Sequence, residues 1–333
     1  MSKLRRRILR IAVGVIAGFG IPVAAVGIYI AQPMLTSAPA DYRPAVEPAR
    51  LEAHVRMLSE TFRPRDARHP DNLERTAAYV EDELRRAGAR IRSQDVVVPG
   101  QVYRNVIGEF GPASGPRIVV GAHYDAYLDL PGADDNASGV AGLVELAWLL
   151  GRDPPPVRVE LVAWTLEEPP WFATPHMGSA VHAKSLVESK ADVVLAISLE
   201  MIGYFTDELW TQESPMRLLH LYYPFRGNFI AVVGRIDQRG PVGIVKRAMA
   251  EATPLPVRSI NAPPNLQGVD FSDHRNYWRY DYPAVMITDT AFMRNRAYHR
   301  ESDTADRLDY RRMAMVVEGV FAAIRAMGEQ AKR

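Results

Sequence analysis

The chain is 333 residues long, 47% hydrophobic and 24% charged, with a net charge of +1 and no cysteine. The near-neutral balance gives no electrostatic reason to expect a nucleic-acid partner. The missing thiols exclude disulfides, thiolate metal sites and a cysteine nucleophile.

Lys3, Arg5, Arg6, Arg7 and Arg10 make residues 1–10 a basic tail, and residues 11–31 then run without a charge. A span of roughly 20 apolar residues crosses a bilayer as a helix. Basic residues ahead of it predict a cytoplasmic N-terminus and an exported remainder, periplasmic or extracellular. A cleaved signal peptide ending near Ala38-Pro39-Ala40 is the competing reading. Signal cores are usually shorter, about 7–15 residues, so the span reads first as a single-pass anchor. Residues 32–45, rich in Pro, Ala and Ser, read as a linker, which leaves 46–333 as one domain.

Within that domain, 51–58 and 73–87 have helical spacing, the second with Asp71 or Asn72 as N-cap and Gly88 as its stop. Segments 91–98 and 103–110 alternate as strands do. The apolar run 117–122 reads as a buried strand ending at His123. Helix 138–150 carries Val140, Leu143, Val144, Ala147 and Leu150 on one face. Strand 157–165 ends just before Glu167-Glu168, helix 177–188 follows, and strand 193–199 ends at Glu200. Strands 229–233 and 284–288 and helices 242–252 and 310–327 complete the set. Alternation of this kind predicts an α/β fold with a mainly parallel central sheet flanked by helices. Ligands in such sheets bind beyond the carboxyl ends of the strands, where His123, Glu167, Glu168 and Glu200 fall.

Those residues join Gly132-Ala133-Asp134-Asp135-Asn136 and Tyr298-His299 in offering carboxylate or imidazole donors beside apolar runs. Zinc accepts such nitrogen and oxygen ligands, and a pair of ions needs ligands on each with a shared carboxylate between them. Asp135 follows a Pro-Gly turn and precedes small residues, which lets the backbone approach such a site. The tandem Glu167-Glu168 can divide labour, one glutamate binding metal and the other moving protons. A lone histidine at a strand end is usually structural; His123 stands out because of its company. Asp134 reads as a turn or cap residue.

Together His123-Tyr124-Asp125, residues 132–139, Glu167-Glu168, Met201-Ile202-Gly203, Ser272-Asp273-His274 and Tyr298-His299 with Ser302-Asp303-Thr304 resemble the zinc-dependent exopeptidases that include bacterial leucyl aminopeptidases and glutamate carboxypeptidases. The resemblance runs from about residue 72 to 308, in the family's order. It implies two zinc ions and a peptide substrate. His123 and Glu200 would bind the first metal, Asp135 would bridge, and Glu168 and His299 would bind the second. Glu167 would be the general base, Asp125 would orient His123, and Tyr298 could stabilise the oxyanion. The resemblance implies an exopeptidase, most readily an aminopeptidase, and the N-terminal span makes it membrane-anchored.

Two departures stand out. The family usually has aspartate where this chain has Glu200, and Glu168 leads into the proline-rich stretch 169–176 instead of a glycine-rich turn. The first keeps open a glutaminyl cyclase with one zinc; a non-catalytic binding domain on the same scaffold is the third reading. Ser272-Asp273-His274 is not a serine triad, because no Gly-x-Ser-x-Gly elbow exists; Asp273 reads as a helix cap. Trp171, Phe172, Tyr204 and Phe205 could line a pocket or fill the core. Arg294 and Arg296 could meet a substrate carboxylate or lie in a solvated loop.

Overall fold

The computed structural model of the chain describes Arg5 and residues 21–332. The elements are α1 (Ile21–Ala31), α2 (Pro48–Arg56), α3 (Pro70–Arg86), β1 (Arg90–Val98), β2 (Gln101–Phe110), β3 (Arg117–His123), α4 (Gly139–Arg152), β4 (Arg158–Trp164), α5 (Gly178–Glu188), β5 (Val193–Glu200), β6 (Ile230–Arg235), α6 (Arg239–Ala252), β7 (Val257–Ala262), α7 (His274–Trp278), β8 (Ala284–Thr288) and α8 (Tyr310–Ala331).

The eight strands form one sheet in the order β1-β2-β4-β3-β5-β8-β6-β7. The sequence pattern predicts a mainly parallel sheet, but the observed one is mixed. Its middle, β4-β3-β5-β8, is parallel, while β1–β2, β2–β4 and β6–β8 are antiparallel. The reason at the near edge is local. Pro99 and Gly100 join β1 to β2 in a two-residue turn, and Gly100 has a φ of +84°, the left-handed backbone that a Pro-Gly turn supplies. On the far side β6 enters against β8, and strand direction leaves no mark on side-chain alternation.

Helices cover both faces. α2, α3, α4, α6 and α8 pack on one, around Leu143, Leu146, Ile197, Ile287 and Val320. α5 and α7 pack on the other, around Val119, Val162, Trp164 and Tyr277. Strands buried on both sides explain the near-continuous apolar runs. In the parallel middle, His123 lies beside Trp164 and Glu200 beside Thr288, so the acidic and imidazole groups emerge from one end of the sheet.

Several helix starts differ from the expected ones. α2 and α3 begin at Pro48 and Pro70, because proline is well placed in a first turn where its missing N–H costs nothing. His69, not Asp71 or Asn72, is the N-cap position of α3, and the Asn72 amide donates instead to the Pro64 carbonyl (2.8 Å). Asp273 precedes α7 but makes no capping bond, which corrects the cap expected there.

Of the expected membrane span, residues 11–20 lie outside the described residues, as does the basic tail apart from Arg5; the remainder forms α1. Among the described residues no helix is long and apolar enough to cross a membrane. α1 rests on the domain: Lys246 Nζ donates to the carbonyls of Ala31 (2.9 Å) and Gln32 (2.7 Å), and Ser259 and Asn261 donate to those of Ala31 and Ile30. Further on, the backbone N–H groups of Ala45 and Val46 donate to Glu318.

Candidate metal centre

β3 delivers His123 at its last residue. The irregular turn Ala133–Ser138 delivers Asp135, the loop after β4 delivers Glu167 and Glu168, β5 delivers Glu200, and the loop after β8 delivers Tyr298 and His299. Two donor groups result, one of His123, Asp135 and Glu200, the other of Asp135, Glu168 and His299. His123 Nε2 lies 3.4 Å from Asp135 Oδ1 and 3.4 Å from Glu200 Oε2. His299 Nε2 lies 3.1 Å from Asp135 Oδ2 and 3.3 Å from Glu168 Oε1. Asp135 thus turns one oxygen to each group. Glu167 belongs to neither group; its Oε2 lies 3.9 Å from His123 Nε2.

This donor set fits metal ions. Buried carboxylates at such density are costly unless paired or coordinating a cation. His123 Nε2, Glu168 Oε1 and His299 Nε2 are buried and have no hydrogen-bond partner, although buried polar groups are nearly always bonded. All three orphaned atoms face the space that the two donor groups enclose. Burial opposes the charge on His299, but Asp135 and Glu168 outweigh it and raise its pKa to about 10. Burial, followed by Asp135, pushes Glu168 up to about 7. Glu167 is pushed well above the usual carboxylate range, chiefly by burial, with Glu200, Glu168 and Asp273 adding to it against His123.

The support shell is more extensive than the sequence suggests. Asp125 was expected to orient His123. Its carboxylate instead accepts the backbone N–H groups of Glu167 (3.1 Å) and Glu168 (3.0 Å), while His123 Nδ1 meets the Asp125 backbone carbonyl at 3.1 Å and the carboxylate only at 3.5 Å. One residue therefore fixes both the histidine and the tandem glutamates. Asp134 goes beyond a turn role: its carboxylate accepts the Gly203 N–H (3.0 Å) and the Asn295 amide (2.8 Å), tying the turn to the loops after β5 and β8.

Three further residues carried no individual signal. Asp303, inside the Ser-Asp-Thr motif, accepts the backbone N–H groups of Asp134 and Asp135. Arg65 is fully buried and donates to the carbonyls of Leu58 (3.1 Å), Pro131 (2.6 Å) and Gly132, a fixed cation behind the acidic cluster. Ser272 Oγ donates to Glu200 Oε2 (2.7 Å). His299 lies between two tyrosine rings, Tyr127 at 4.1 Å and Tyr298 at 3.9 Å, both nearly parallel to it.

An open cleft of about 870 Å³ adjoins the centre and has Glu200 and Tyr298 on its wall. Phe229, Phe271, Phe292 and Met286 line it; Trp171, Phe172, Tyr204 and Phe205 do not. Phe205 is in the core. Arg294 is buried against Gln212 and the Tyr204 carbonyl, and Arg296 pairs with Glu213, so both are already engaged. His182 is structural, buried between Glu160 and Tyr277.

Residues 105–324 match peptidase family M28. The chain belongs to that family and is a metallopeptidase, which bears out the exopeptidase resemblance. It is 49% identical over 301 residues to the Escherichia coli (strain K12) protein described as uncharacterized protein YfbL, covering 88% of this chain and 92% of that one. In fold it is similar to the LapA aminopeptidase of Legionella pneumophila, with a TM-score of 0.67, 18% identity and coverage of 85% of this chain and 72% of that one. It is also similar to a glutaminyl cyclase of Bacteroides thetaiotaomicron, with a TM-score of 0.64, 18% identity and coverage of 85% and 99%. At such identities the likeness is one of fold, and a fold hosts more than one chemistry.

Proposed function

We propose that this metallopeptidase is a two-zinc aminopeptidase, anchored by its N-terminal span with the catalytic domain on the exported side. The observation that carries the two-metal reading is Asp135, which offers one carboxylate oxygen to each of two three-residue donor groups. Mixed imidazole and carboxylate donors suit zinc; the anchor rests on the basic tail and the uncharged run that follows it.

His123, Asp135 and Glu200 would hold one ion, and Asp135, Glu168 and His299 the other. When bound, the pair supplies Lewis acidity, lowering the pKa of water and polarising the scissile carbonyl. Glu167, left out of both donor groups, takes the proton of the attacking water and passes it to the leaving amine. Asp125 holds Glu167 in register through its backbone N–H. Tyr298, on the cleft wall beside His299, would donate its hydroxyl hydrogen to the developing oxyanion.

Metal content per chain, measured after dialysis against trace zinc in the parent and in Glu200→Ala, tests the ligand set. Two zincs falling toward one is the expected result. One zinc in both, with pyroglutamate formed from a glutamine peptide, would mean a cyclase; none would mean a binding domain. Glu167→Gln is expected to keep its metal and lose about 10²–10⁴-fold in turnover of N-terminal aminoacyl substrates.

A further inference from the structure

The connection between β5 and β6 is long and has two faces. Its inner face, including Gln212, Pro215, Leu219 and Tyr223, walls the cleft that ends at Glu200 and Tyr298. Its outer face exposes Leu209, Trp210, Met216, Leu218, Leu221 and Phe225, with Trp210 73% and Leu221 70% accessible. The Trp210 and Phe225 rings lie 4.5 Å apart, and exposed apolar side chains that adjoin in this way mark an interaction site.

The same connection touches the N-terminal helix. The Tyr222 hydroxyl donates to the Ala24 carbonyl (3.0 Å), and its ring packs against Gly27, where no Cβ would fit. The far end of α1 is gripped by Lys246, Ser259 and Asn261, and the Arg239 guanidinium lies 3.9 Å over the Tyr29 ring. The helix is therefore held in one direction relative to the cleft. Its outward side chains Ile21, Val26 and Ile28 are more than half exposed, so they extend the apolar surface of the connection. Arg217 and Arg226 are exposed in the connection, and so are Asp207, Glu208 and Glu213, so its recognition chemistry is apolar and not one of net charge.

We propose that residues 207–226 are a membrane-seated wall of the substrate cleft: their outer face lies in the interfacial layer of the bilayer that holds the anchor, and the cleft opens at the headgroups. The inference rests on the anchored reading above. The proposed anchor, residues 11–31, includes α1, which is bound to this connection through Tyr222, so a bilayer that takes the anchor meets the patch. An amphipathic surface with aromatic and aliphatic side chains matches a phospholipid interface, and tryptophan favours that layer. The substrates that reach such a cleft most readily are peptides held at the membrane surface.

The test uses the full chain reconstituted in phosphatidylcholine–phosphatidylglycerol vesicles with brominated acyl chains. Quenching of tryptophan fluorescence is compared between the parent and Trp210→Phe, a change that keeps an aromatic ring against Phe225, whose ring lies 4.5 Å away. Carbonate extraction of the same vesicles reports the anchor separately. The expected result is a chain that resists extraction and loses most of its bromine-dependent quenching in the variant. A chain that resists extraction but quenches equally in both forms overturns the seated wall and leaves the anchor standing. A chain released by carbonate overturns the anchored reading and this inference with it.

Discussion

Glu200 is the proposed ligand at which this chain departs from the family's usual aspartate, and its surroundings accommodate the extra methylene. The Ser272 hydroxyl donates to Glu200 Oε2, and Ser198 in turn donates to Ser272 (2.8 Å). Both serines are buried, so the longer side chain is held in one pose. Groups that orient ligands in this way typically contribute 10–100-fold to metal affinity. Ser272→Ala is therefore expected to weaken the first ion by about that factor and to leave the second nearly unchanged. Titration against a competing chelator separates the two steps; equal weakening of both would assign Ser272 a general structural role. That His123, Asp135, Glu168, Glu200 and His299 converge on one site was legible because each ends an apolar run or sits in a short motif. Arg65 was not, because it lies outside every motif, and the motifs that hold Ser272 and Asp303 did not reveal their partners, which lie far away in sequence.

At the level of single elements, the strands were legible wherever both faces are apolar. β7 was not: its alternate residues Ser259 and Asn261 are polar and buried, because they hold the carbonyl end of α1. β4 carries the opposite surprise, a fully buried charge inside a strand. Glu160 lies 2.6 Å from Arg117, 3.0 Å from Arg158 and 3.3 Å from His182. Burial opposes its ionisation, but His182 and the two arginines outweigh it and hold its pKa at about 2. A carboxylate depressed in the folded state contributes stability above its unfolded pKa, and that contribution is lost as pH falls through the folded value. Glu160→Gln is thus expected to cost about 3 kcal/mol at pH 7, as removing one partner of a buried ion pair does. The difference from the parent should shrink between about pH 4.5 and pH 2. Urea unfolding of both proteins at several pH values measures it; a difference independent of pH would assign the loss to packing instead of charge.

For the whole molecule, the proposed two-zinc centre would be a cross-link. Its donors come from β3, the turn before α4, the loop after β4, β5 and the loop after β8, so bound ions fasten the parallel middle of the sheet to both adjoining loop layers. The unfolded chain has no such arrangement, and binding to the folded state alone adds RT ln(1 + [L]/Kd), about 4 kcal/mol at a thousandfold excess over Kd. Stripping zinc with a chelator is therefore expected to lower unfolding stability by an amount that zinc restores in a concentration-dependent way. The tandem glutamates make this a test of their roles, since Asp125 holds both backbones alike but only Glu168 reaches His299 and the shared Asp135 group. Glu167→Gln should retain the full zinc-dependent stabilisation while losing turnover as predicted above. Glu168→Gln should lose the part that belongs to the second ion. The reverse result would exchange the two roles, making Glu168 the proton carrier and Glu167 the ligand.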